Sequence, residues 1–201
     1  MKLAQLFRRR RPEAKPAAEL YAQAVAQARQ PGFYTDLEVP DTLDGRFELV
    51  SLHVYLILRR LRADHRRTGR LAQAVFDEMF EDMDGSVREL GAGDLGVGPR
   101  VKKMARNFYG RIKAYDAGLD GSRAELREAL RRNLYGNLDA VAEETLDALA
   151  GYMTETNAGL AETRLDSLMA GQVDFARIAP APGGAAAQTS GGTPQSSAQT
   201  A

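Results

Sequence analysis

RELGAGDLGVGPRVKKM, residues 88 to 104, sets Gly91, Gly93 and Gly96 in the pattern G-x-G-x-x-G. In a dinucleotide-binding loop such glycines follow a strand and open a helix, so that backbone N–H groups and a helix N-terminus face a pyrophosphate. The choice between that α/β unit and an all-helical fold therefore rests on what precedes Gly91. The residues before it, QAVFDEMFEDMDGSVREL, space their apolar side chains as a helix does and never alternate with period two. No strand is predicted there. Asp116 lies at the distance of a ribose-binding acid, but a helical pattern surrounds it where a second strand should end. Lys102 and Lys103 do not restore a phosphate loop, because the G-K-[ST] triplet never occurs. The glycines are predicted to link two helices.

Working outward, the same helical period runs almost throughout. Pro16 suits the first turn of a helix with Leu20, Tyr21, Ala24, Val25 and Ala28 on one side, stopping at Pro31-Gly32. Thr42 or Asp44 caps a second helix predicted to run to about Thr68, with Gly69 as its stop. Within it LVSLHVYLIL, Leu49 to Leu58, is apolar nearly all round, which suits a central helix covered on several sides. Ten residues are too few to span a bilayer. A helix from about Arg70 to Phe80, a turn at Asp84-Gly85 and a short helical piece at Ser86 to Leu90 precede the glycine loop. Pro99 then opens a helix whose stripe is Val101, Met104, Ala105, Phe108, Ile112 and Tyr115. Ser122 or Asp120 starts another, with Leu126, Leu130 and Leu134. The last helical stretch runs from Asp139 to about Ala170 and is expected to bend or break near Gly151 or Gly159. The prediction is all-α: one helical domain of about six to seven helices at residues 16–172. A basic arm at 1–15 precedes it and a disordered tail at 173–201 follows. Beyond Ile178 the tail has no charged group and no large apolar side chain, so it cannot offset its ordering entropy.

The 201 residues are enough for one core without staples. The absence of cysteine removes disulfides, thiolate catalysis and thiolate-ligated zinc or iron–sulfur sites. DMDG, Asp82 to Gly85, begins like a calcium loop but fails later, because Val87 stands where glycine is needed and Gly93 where a glutamate should close the shell. His53 sits in the apolar run and reads as a hydrogen-bonded core histidine; His65 has no metal-ligand companion at a useful spacing. No Ser/His/Asp or paired-carboxylate arrangement is legible. No enzyme, no cofactor, no metal and no small-molecule substrate is predicted.

Charge is segregated although the net charge is zero. The arm carries Lys2, Arg8, Arg9, Arg10, Arg11 and Lys15 against Glu13 alone, with Leu3, Leu6 and Phe7 at helical spacing. It reads as a solvated terminus, a contact for an anionic membrane or the ribosome, or a targeting segment. Asp77, Glu78, Glu81, Asp82, Asp84, Glu89 and Asp94 form an acidic stretch in which Arg88 is the only base, whereas residues 100–115 hold Arg100, Lys102, Lys103, Arg106, Arg111 and Lys113 with no acid. Either the two segments pair as an internal ionic layer, or the basic face meets RNA phosphates or lipid headgroups.

FELVSLHVYLILRRL, followed by QAVFDEMFEDMDGSVRELGAGDLGVGPRVKKMARNFYGRIKAYDAGL, resembles the signature region of the ubiquinol-cytochrome c chaperone family, assembly factors of the cytochrome bc1 complex, in a bacterial-type member. The resemblance covers roughly residues 33–150 and is far more specific than its embedded glycines. It implies an all-helical, non-catalytic chaperone. Its partners would be cytochrome b or other bc1 subunits, together with the ribosome and an anionic membrane surface. Its place would be the cytoplasm, peripheral to the inner membrane. The matching positions propose a contact surface made of Asp82, Asp84, Arg88, Glu89, Asp94, Lys102, Lys103, Met104, Phe108, Tyr109 and Arg111. Gly93, Gly96, Gly98 and Gly110 belong to the same pattern. A holding chaperone needs exposed apolar surface flanked by charge, and Met104, Phe108 and Tyr109 are the candidates. The alternative is a helical protein that contacts ribosomal RNA without holding a client.

Overall fold

The computed structural model describes residues 12–89, 94–136, 138 and 140–179. Eight helices and no strand occur among them: α1 (Ala14–Ala28), α2 (Gly32–Thr35), α3 (Leu43–Ala63), α4 (His65–Glu89), α5 (Asp94–Asp120), α6 (Arg123–Leu134), α7 (Glu143–Glu162) and α8 (Leu165–Met169). The basic arm before Pro12, Gly91, Gly93 and the chain beyond Ala179 lie outside the described residues.

α3 is the axis of the fold. Thr42 caps it by accepting a hydrogen bond from the Gly45 N–H at 3.1 Å. Residues 51–57 are all buried, because α1, α4, α6 and α7 pack around this one helix. Gly45 is needed at its start, since a side chain there would run into the Pro40 carbonyl. Gly118 serves a second close approach: a Cβ at that position would stand 2.6 Å from the Leu126 Cα, where α5 crosses α6. α6 begins with the reciprocal Ser122–Glu125 cap.

Several boundaries differ from the sequence reading. α3 ends at Ala63 instead of Thr68, and one residue, Asp64, separates it from α4. Asp64 accepts from Arg60 at 2.6 Å, and the Thr68 hydroxyl donates to the Leu61 carbonyl, so polar side chains satisfy the helix end and make the corner. α4 then continues through Gly69, Asp84 and Gly85 without a turn. Leu71, Val75, Met79 and Met83 are buried at four-residue spacing along it, and that burial outweighs the ~1 kcal/mol cost of a helical glycine. α5 starts at Asp94, so Gly96 and Gly98 are helical and Pro99 falls in the second turn, not the first. α7 starts at Glu143 and passes Gly151 and Gly159 unbroken. It ends at Glu162, where Arg60 donates to the Leu160 carbonyl at 2.8 Å and the Thr163 carbonyl at 3.1 Å.

Residues 173–178, which the domain boundary at 172 places in the tail, pack on the core. Gly171, at φ 81°, turns the chain back along α1. There the Gln23 amide donates to the Gly171 carbonyl at 2.6 Å and accepts from the Val173 N–H at 3.2 Å. Val173 is buried, and the Phe175 ring meets His53 edge-on at 5.1 Å. His53 itself is fully buried. Its Nδ1 donates to the Leu49 carbonyl, and its Nε2 accepts from the Tyr152 hydroxyl, both at 2.7 Å. Burial pushes the imidazole down to about 4, against the opposing effect of the Leu49 hydrogen bond.

Candidate functional site

α1 and α4 lie side by side, and the connector before α3 crosses their ends, leaving a groove of about 640 Å³. Val25 from α1, Tyr34 from α2, Leu43, Phe47 and Val50 from α3 and Met104 from α5 line it, and the buried Met79 and Met83 of α4 lie beneath them. These side chains sit here because each helix turns its apolar stripe inward at a junction that the described residues leave open. Leu43, at the lip, is 57% exposed. Methionine and tyrosine suit a surface that must accept varied apolar shapes, since one adapts its conformation and the other tolerates half-burial.

Charges ring the opening. Arg46 pairs with Asp41 at 2.6 Å, and the Tyr21 hydroxyl donates to Asp82 at 2.7 Å. Burial first, and then the Asp82 carboxylate, hold the Tyr21 phenol protonated far above the ordinary range. Arg29 and Asp44 complete the rim. An apolar trough with a charged lip can take up an apolar segment while excluding water from its sides.

Behind the groove wall lies a buried ion pair. Arg111 makes two hydrogen bonds to the Glu48 carboxylate, both partners being nearly buried, and its guanidinium stands 5.9 Å from the centre of the Phe47 ring. Burial raises the Glu48 carboxyl above its usual range, against the lowering effect of Arg111. The pair ties α5 to α3 beside Phe47, part of the groove wall. Further along α5, Asp116 accepts from Tyr55 at 2.9 Å, Arg59 at 2.6 Å and Arg62 at 2.8 Å. Burial works against the charged Asp116, but hydrogen bonds from Arg62, Tyr55 and Arg59 outweigh it and hold the carboxyl below its ordinary range.

The positions singled out from the sequence therefore separate. Met104 and Asp82 line the groove. Phe108 is fully buried among Phe76 and Phe80 and is not surface. Arg111 is committed to Glu48. Lys102, Lys103 and Tyr109 are exposed on α5, and Asp84 is half-buried on α4. Arg88 and Glu89 end α4, and Asp94 begins α5. The sequence reading missed Val25, Tyr34, Leu43, Phe47 and Val50, which come together only when distant helices pack.

The glycine segment is preceded by α4, which is helical to Glu89, so the strand that a dinucleotide loop requires is not there. No group of three or more acidic or histidine side chains able to hold a metal ion occurs among the described residues. No helix among them is long and apolar enough to cross a membrane.

The sequence pattern of the family described as "Ubiquinol-cytochrome C chaperone" matches residues 35–175. The "Ubiquinol-cytochrome-c reductase complex assembly factor 1" of Xenopus laevis is 27% identical over 118 residues, 59% of this chain and 59% of the frog protein. "Protein CBP3, mitochondrial" of Saccharomyces cerevisiae is 31% identical over 121 residues, 57% of this chain but 36% of the yeast protein. This chain thus spans well under two thirds of the length of these relatives. The crystal structure of the Cbp3 homolog from Brucella abortus superimposes with a TM-score of 0.75 at 39% identity, covering 88% of this chain and 97% of that one.

Proposed function

Because the chain belongs to the ubiquinol-cytochrome C chaperone family, a family of non-catalytic assembly factors, we propose that it holds newly made cytochrome b during assembly of the cytochrome bc1 complex. It acts in the cytoplasm, at the inner face of the inner membrane where that client is made. The observation that carries this reading is the apolar groove between α1, α3, α4 and α5. A nascent membrane protein exposes apolar helices that aggregate in water, and an open trough walled by Leu43, Tyr34, Phe47 and Met104 shields one such segment without chemistry. The charged rim contributes orientation more than affinity.

Two measurements test the proposal. Deleting the gene should reduce assembled bc1 complex while the cytochrome b transcript stays constant; normal complex would defeat the reading. Leu43→Asp, at an exposed position, and Met104→Asp, at a half-buried one, should leave the helical circular dichroism unchanged and fail to restore assembly in the deletion strain. Full restoration by both would remove the groove from the mechanism.

A further inference from the structure

On α5, Lys102, Arg106, Tyr109 and Lys113 follow one another at spacings of four, three and four residues, which places them on one face of the helix. All four are exposed, and Tyr109 is 60% exposed, the most open of the exposed large apolar or aromatic side chains among the described residues. The line is about 16 Å long at 1.5 Å per residue. Met104 and Phe108, which face the groove and the core, lie on the other side of the same helix. No acidic residue occurs in residues 95–115, and the next one, Asp116, is already bound by Arg59 and Arg62.

Beneath Tyr109 is an aromatic footing. Its ring centre lies 5.8 Å from that of Phe76, which is 4.5 Å from Phe80. The tyrosine is thus an exposed amphipathic ring set against other aromatic rings, with cations before and after it on the same helix face. This chemistry fits one kind of surface best: anionic phosphate headgroups set over an apolar layer, with tyrosine at the boundary and lysine and arginine among the phosphates.

We propose that this face of α5 docks the protein on an anionic phospholipid bilayer. The inference concerns a different face from the groove and does not depend on which client the groove holds. The acidic side chains of α4 narrow the contact. Asp77, Glu81 and Asp84 are each engaged within the molecule, yet their charge repels an anionic surface, so the protein rests along α5 and not on the flat of the α4–α5 hairpin.

The test is sedimentation of the full chain with vesicles of phosphatidylcholine alone and of phosphatidylcholine mixed with phosphatidylglycerol. Binding should appear with the anionic vesicles only and weaken as salt rises. A Lys102→Gln, Arg106→Gln and Lys113→Gln triple variant should lose about a hundredfold in partitioning, at about fivefold per cation near the surface. Tyr109→Ala should weaken binding at high salt, where charge is screened, and Tyr109→Phe should restore it. Because the N-terminal arm is also basic, the same assay on a chain with Arg8, Arg9, Arg10 and Arg11 changed to Gln separates the two. If that change abolishes vesicle binding and the triple variant binds as the parent does, the proposal is overturned. It is overturned equally if the parent chain ignores anionic vesicles and binds homopolymer RNA through the same three cations. Lys102, Arg106, Tyr109 and Lys113 are exposed, and unchanged circular dichroism confirms that a loss of binding is not a loss of fold.

Discussion

Replacing Arg111 by Met should destabilise the protein by about 3 kcal/mol, because it strands a charge instead of removing a surface contact. The side chains of Arg111 and Glu48 are 12% and 10% exposed, and the guanidinium meets the carboxylate through two hydrogen bonds. Without its partner, the Glu48 carboxylate is left in a poorly solvated pocket, which costs about 3 to 5 kcal/mol for a buried pair broken on one side. The cost is expected at the lower end, since Glu48 can escape it by binding a proton. Its carboxyl is already raised by burial even with Arg111 present. That escape sets the pH dependence. In the variant the folded state holds a proton that the unfolded chain releases above the ordinary glutamate range, so stability should be higher near pH 5 and fall as pH rises towards 8. Pairing Arg111→Met with Glu48→Gln should recover most of the loss, because no charge is then buried. The assay is urea denaturation of the four members of a double-mutant cycle at both pH values. If Arg111→Met shifts stability by less than about 0.5 kcal/mol, or if adding Glu48→Gln makes matters worse, the pair is not what joins α5 to α3.

Two further perturbations test the packing around the site. The His53 imidazole is lowered to about 4 by burial, so the unfolded chain takes up a proton that the folded one refuses. Stability from this group is complete above about pH 6.5 and declines as pH falls towards 4, by about 3 kcal/mol in all. An NMR titration should show His53 protonating only in the acid limb, and a His53 that protonates in the ordinary imidazole range would refute the burial. Truncation after Gln172 should lower stability by about 2 to 4 kcal/mol through loss of Val173 and the Phe175–His53 contact, whereas truncation after Ala179 should change it little. Equal stability of the two truncated chains would show the extended segment to be dispensable.

The parts of the molecule that sequence alone determined are those governed by local periodicity and local capping. The all-round apolar run Leu49 to Leu58 could only be a covered helix, and the structure surrounds it with four others. The starts near Thr42 and Ser122 were legible from local capping residues, and the structure chooses Thr42 over Asp44 and Ser122 over Asp120. The α3–α4 corner was not, because ADH contains no helix breaker. Its stability comes from Arg60, Asp64 and Thr68 reaching groups that are placed only once the helices have folded back. DMDG misled for the converse reason. A glycine beside two aspartates favours a turn locally, but burial of Met79 and Met83 against neighbouring helices is worth more than that preference. The candidate surface divides along the same line. The resemblance to the chaperone family named Met104, Phe108, Tyr109 and Arg111 as members of one pattern. Which of them faces the groove, the core, the solvent or a buried carboxylate depends on where α1, α3 and α4 lie. Periodicity fixes the angle of a side chain about its own helix axis, and only the packing of the other helices decides what it meets.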